Sequence, residues 1–135
     1  MSALLSRWRE VLVGVVLAVV GWETARLLPA SWYLVFEGAL VAWIGAIYIG
    51  FGLVSGARSA VVEVVGGVVM FFLAVVGTSW AAWLLTLGLV LHAGWDLAHH
   101  EGRISKAVPR WYPSFCAAAD LVLAGLFWAS RPTGG

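Results

Sequence analysis

Long apolar runs alternate with short polar breaks along the chain. About 20 apolar residues are needed for a helix to cross the hydrocarbon of a bilayer, and the runs have that scale. The first spans Glu10 to Leu28 and stops at Pro29. The second spans Ser31 to Val54 and closes on Ser55-Gly56-Ala57-Arg58. From Ser59 to His100 almost no charge appears over twice the length one crossing needs, so two helices are expected there. Gly77-Thr78-Ser79 is the expected break, with Gly ending one helix and Ser79 capping the next. Helices three and four then cover Ala60 to Val76 and Trp80 to His100. A polar loop follows, Glu101 to Tyr112, carrying Arg103, Lys106, Pro109 and Arg110. The last run is Pro113 to Ser130, with Pro in its first turn. The pattern predicts an all-α, polytopic membrane bundle of five transmembrane helices forming one domain, residues 1–135. Short connections predict that successive helices pack as antiparallel neighbours.

Composition sharpens this reading. Soluble domains carry about 45–50% apolar and 25% charged residues. This chain has 62% and 11%, which puts it in the membrane class. A net charge of +1 provides no basic field for nucleic acid. The lone Cys116 excludes an internal disulfide and a cysteine-based zinc cluster, and reads as a small apolar filler. Arg7 and Arg9 precede Val11 to Val20 as in a signal peptide, but Gly21 to Arg26 offers no small-x-small cleavage site, so the first span is expected to be retained. With five spans, Arg7, Arg9, Arg58, Arg103, Lys106 and Arg110 fall on one side, Arg26 and Arg131 on the other. That bias puts the N-terminus in the cytoplasm and the chain in the inner (plasma) membrane as a multi-pass protein. Gly38, Ala42, Gly45, Ala46, Gly66, Gly67 and Ala117 to Ala119 supply the small residues that let helices approach closely in lipid.

The chemistry concentrates in Leu91 to Glu101, which holds every histidine in the chain. With His92 at zero on a helical wheel, His99 falls near about −20°, Asp96 near about +40° and His100 near about +80°. Three imidazoles and a carboxylate therefore share one face. Glu63 and Asp120 start at similar depth in neighbouring helices, as do Tyr48 and Cys116. Carboxylates in hydrocarbon are costly and mark functional sites by default. Imidazole and carboxylate together are ligands for Zn, Mn or Fe. The expected site is a divalent-metal centre from His92, Asp96, His99, His100, Glu63 and Asp120, with Asp96, Glu63 and Asp120 as catalytic residues and Glu63, His100 or Asp120 completing the site or serving as general base. Blander readings compete. His100 and Glu63 could simply meet headgroups, Trp95 could be an anchor, and Asp96 and Asp120 could pair with histidine to fix helix register. On the outer side, Glu23 and Arg26 are spaced to pair, and Glu37 could join them.

The string His92-x-Gly94-Trp95-Asp96-x-x-His99-His100, followed by Pro109, Ser114, Cys116 and Asp120, resembles a family of small bacterial integral membrane proteins of unknown function. Gly45-Ala46-Ile47-Tyr48 and Glu63 match the same pattern, and the resemblance runs from Phe36 to Phe127. It implies a helical membrane fold and a site, but no reaction. Asp96-x-x-His99-His100 is also similar to the H-x-x-H-H of membrane desaturases, but three histidines are too few for a desaturase di-iron site. The ligand types and depth are similar to those of membrane zinc hydrolases of the alkaline ceramidase and adiponectin receptor kind, which have seven spans.

These observations predict a metal-dependent membrane enzyme acting on a lipid-like or other apolar small molecule, among membrane lipids. A small proton- or cation-coupled transporter acting as a homodimer uses the same parts. An accessory subunit without chemistry of its own is the third expectation.

Overall fold

The structure is a computed structural model and describes residues 7–131. Within these lie five helices: α1 (Trp8–Leu27), α2 (Ala30–Ser55), α3 (Ala57–Ser79), α4 (Trp83–His99) and α5 (Tyr112–Ser130). A 3-10 turn, His100–Gly102, follows α4. Pro29 separates α1 from α2, because a helix cannot continue through it without losing a hydrogen bond. Pro113 sits in the first turn of α5, where its missing N–H costs nothing.

Polarity is distributed inside out. Glu37, Glu63, Asp96 and Asp120 are all 0% exposed, whereas Leu12, Val16, Val65, Phe72 and Leu121 are more than half exposed. Water-soluble domains almost never bury carboxylates wholesale. Three helices are long and apolar enough to cross a membrane: α2, α3 from Ala60, and α5. The other two fall short of that description. α1 carries Arg9, Glu10, Glu23 and Arg26, and α4 has only 17 residues.

α2 and α3 form a tight hairpin. Gly38, Gly45 and Gly52 lie at heptad spacing along one stripe of α2, facing Ala74, Met70 and Glu63 of α3 respectively. A Cβ at Gly45 would lie 2.5 Å from that of Met70, and one at Gly52 2.8 Å from that of Glu63. The absence of side chains thus sets the helix separation and makes room for a carboxylate. On the opposite side of the bundle α1 packs on α5, with Gly14 directly against the Phe115 carbonyl and Ala119. This corrects the expectation that chain neighbours pair throughout, since α1 makes only slight contact with α2. The small residues of α1, Gly14, Ala18 and Ala25, are its buried ones. α4 lies between the two pairs and touches α2, α3 and α5.

The break between the third and fourth helices falls later than expected. α3 runs through Gly77 and Thr78, and both the Trp80 and Ala81 N–H groups bond the Val76 carbonyl, at 2.9 and 3.2 Å. Gly77 serves packing instead of termination, as a Cβ there would lie 2.6 Å from Leu85 Cδ2.

Candidate metal centre

α4 is buried along the stripe Leu85, Gly88, Leu89, His92, Ala93, Asp96 and His99. The spacing of about 3.6 residues per turn keeps these positions on one face. His92, Asp96 and His99 are therefore directed at α2, α3 and α5 together. Asp120 and Cys116 approach from α5, four residues apart on one face, and Tyr48 approaches from α2.

Two buried clusters form there, not one. In the first, His92 Nδ1 lies 2.7 Å from Asp120 Oδ2 and 3.5 Å from Asp96 Oδ2. The Tyr48 hydroxyl donates to Asp96 Oδ1 at 2.6 Å. Cys116 completes the group: one donor atom each from His92, Asp96, Cys116 and Asp120 fall within 4.8 Å of one another, and all four residues are buried. His92 Nε2, Asp96 Oδ2 and Asp120 Oδ1 are buried without a hydrogen-bond partner among the described residues.

The second cluster is centred on His99, about two turns nearer the loop than His92. His99 Nε2 meets Glu63 Oε1 at 2.7 Å, and His99 Nδ1 donates to the Trp95 carbonyl at 2.9 Å. Trp95 Nε1–H donates to the other Glu63 oxygen at 3.3 Å. Both ring nitrogens and both carboxylate oxygens are thus engaged. Tyr48 stands between the clusters, its ring centroid 5.3 Å from that of His92 and 4.9 Å from that of His99.

The expected six-ligand centre is divided accordingly. His92, Asp96 and Asp120 come together. Glu63 and His99 pair with each other, apart from the metal-capable group. His99 shares the His92 face but lies seven residues away, about 10 Å along the helix axis. His100 stands outside both clusters in the 3-10 turn, with Nδ1 3.9 Å from Glu101 Oε1. Cys116, expected as an apolar filler, is buried and lies within reach of His92, Asp96 and Asp120; its four-residue offset from Asp120 was the signal for it. On the far side of the bundle, Glu23 pairs with Arg26 at 3.3 Å, as spaced. Glu37 does not join them: Arg131 donates to its Oε1 at 2.7 Å and also to Thr86 Oγ1 at 3.0 Å.

The donor set fits a metal ion. Four donors around a tetrahedral ion with 2.0–2.3 Å bonds stand about 3.3–3.8 Å apart. The separations here straddle that range, so small side-chain shifts would close the shell. Charge points the same way. One imidazole, even protonated, balances one carboxylate, and a second buried carboxylate needs a further cation or proton. A divalent ion would neutralise both and supply bonds to the unpartnered oxygens.

A family of unknown function, DUF6010, matches residues 9–133. The chain belongs to that family. The match takes in α1 from its second residue, the other four helices whole, and every residue of both clusters described above. No curated protein and no solved structure matches the chain.

Proposed function

We propose that this DUF6010 protein is a metal-dependent enzyme of the inner (plasma) membrane, crossing it five times with its N-terminus in the cytoplasm. The charge bias supports the topology. The charges of α1 lie at its two ends and leave Val11 to Trp22 apolar. α4 runs on into the 3-10 turn His100–Gly102, which extends its reach, and its polar face of His92, Asp96 and His99 is buried against its neighbours.

The observation that carries the metal reading is the convergence of His92, Asp96, Cys116 and Asp120 within 4.8 Å, with carboxylate oxygens otherwise unpartnered. Thiolate and imidazole donors favour Zn over Mn, with Fe next. A bound divalent ion would polarise a substrate or lower the pKa of a water. Asp96 and Asp120 would be among the residues that hold the ion, and their carboxylates would also supply the general base. Tyr48 is a positioning residue: its hydroxyl holds Asp96 in place. Glu63, expected as a base, is instead committed to His99 and Trp95 and ties α3 to α4.

A proton- or cation-coupled transporter would use the same carboxylates but would need an outer station as well. Glu37, the buried carboxylate there, is ion-paired to Arg131, which favours the enzyme reading. The test is the metal content of protein purified in detergent. Near-stoichiometric Zn or Fe, lost in His92→Ala and Asp120→Asn, is expected. Metal-free protein, or equal metal in the variants, overturns the reading.

A further inference from the structure

The first cluster is closed toward the loop and reachable from the membrane side. Toward the loop, Tyr48, Phe51 and Tyr112 form an aromatic plug, with ring centroids 5.1–5.8 Å apart. Val108 of the loop is buried against it. Between α3 and α4, by contrast, lies a cavity of about 190 Å³ whose lining includes Tyr48 and His92. Its outer rim is Val65, Val69 and Leu91, exposed apolar residues on what would be the lipid face.

The lining decides what the cavity can take. Gly45, Gly66 and Gly67 make part of its wall, and Met70 and Leu73 much of the remainder. A Cβ on Gly66 would lie 3.1 Å from the Trp95 ring, so the slot is narrow as well as apolar. Three lining residues have polar side-chain atoms. The Tyr48 hydroxyl is already donated to Asp96, and Trp95 Nε1–H to Glu63. His92 Nε2 alone among them is unpartnered. A polar ligand would find one hydrogen bond and otherwise hydrocarbon, a poor exchange for its water. The volume is also below the ~300–1,000 Å³ of pockets that enclose a drug-sized molecule. It suits a segment of a ligand whose remainder stays outside.

We infer that this slot receives the hydrocarbon chain of a membrane lipid, inserted sideways between α3 and α4 so that a mid-chain segment lies against His92. The depth agrees. His92 lies about 12 Å inside the loop end of α4, and the hydrocarbon half-thickness is about 15 Å, so acyl methylenes and not headgroups occupy that level. This names the substrate class of the proposed enzyme and rests on that reading only for the chain's being a substrate. A metal bound through Nδ1 would fix the proton on Nε2, leaving an N–H facing the chain.

The experiment uses the full chain in phosphatidylcholine vesicles containing a phosphatidylcholine with a mid-chain diazirine. After photolysis, labelled residues are mapped by mass spectrometry, and bound metal is measured on the same samples. Label concentrated on Met70, Leu73 and Leu91, above that on Val16 and Val20 of α1, is expected, although both valines are as exposed as Leu91 and far more so than the buried Met70. Val69→Trp and Leu91→Trp each fill the rim from an exposed position, and each should reduce label on Met70 and Leu73 about tenfold with metal content unchanged. Even labelling around the bundle, or focused labelling that neither tryptophan reduces, overturns the inference. Focused labelling of a metal-free protein supports the slot and overturns the metal reading, so the two fail separately.

Discussion

Two histidines of α4, on one face and two turns apart, have opposite surroundings. His99 and Glu63 form a closed account. Nδ1 faces a carbonyl and Nε2 faces a carboxylate, so one proton shared between Nε2 and Oε1 satisfies both, and the pair is neutral whichever atom holds it. Trp95 takes the last oxygen. His92 faces two carboxylates, and one proton cannot neutralise both. A satisfied buried network fixes helices in place, while an unsatisfied one has capacity for something else. The His99–Glu63 cluster ties α3 to α4, and the His92 cluster is the one that could hold a metal ion.

Substitutions can break this contrast. The largest effect is expected from His92→Ala or Asp120→Asn, which should remove essentially all bound metal while the helical circular dichroism persists. Were metal retained in both, the two clusters would not differ in kind. Next is Glu63→Ala, which strands His99 among apolar groups. It should lower stability in detergent by about 1–3 kcal/mol, read from denaturant or thermal unfolding, and leave metal content unchanged. Loss of metal there would mean that the second cluster belongs to the centre after all.

A smaller change is expected of Glu37→Gln. It weakens a buried ion pair with Arg131 but keeps an acceptor for it, so a loss of about 1 kcal/mol with full metal content is expected. In vesicles, abolition of ion or proton flux by this variant would instead favour transport. Least of all, Glu23→Ala should shift stability by no more than about 0.5 kcal/mol, since its partner Arg26 and Glu23 itself are both 51% exposed.

How far the sequence went depended on the kind of question. Hydropathy and prolines located five helices to within a few residues, because burial in an apolar medium is a property of composition over a window. Helical arithmetic placed His92, Asp96 and His99 on one face, and depth selected Asp120 as their partner. Arithmetic on one helix does not say which neighbouring helix faces each turn. It therefore merged His99 and Glu63 with a centre one to two turns away. The same gap hid the pairing of α1 with α5 and of Glu37 with Arg131, which depend on how helices are arranged around α4. Gly77 misled because glycine both ends helices and lets them touch, and only the position of Leu85 distinguishes the two. Cys116 was legible in principle: it precedes Asp120 by one helical turn, the spacing already used for His92 and Asp96.

The central claim is that His92, Asp96, Cys116 and Asp120 together bind one metal ion. X-ray absorption at the metal edge of the purified protein tests it most directly. The account predicts a mixed shell, nitrogen and oxygen at about 2.0–2.2 Å with sulfur at about 2.3 Å, the sulfur contribution vanishing in Cys116→Ser. A shell without sulfur, or one that Cys116→Ser leaves unchanged, would contradict it.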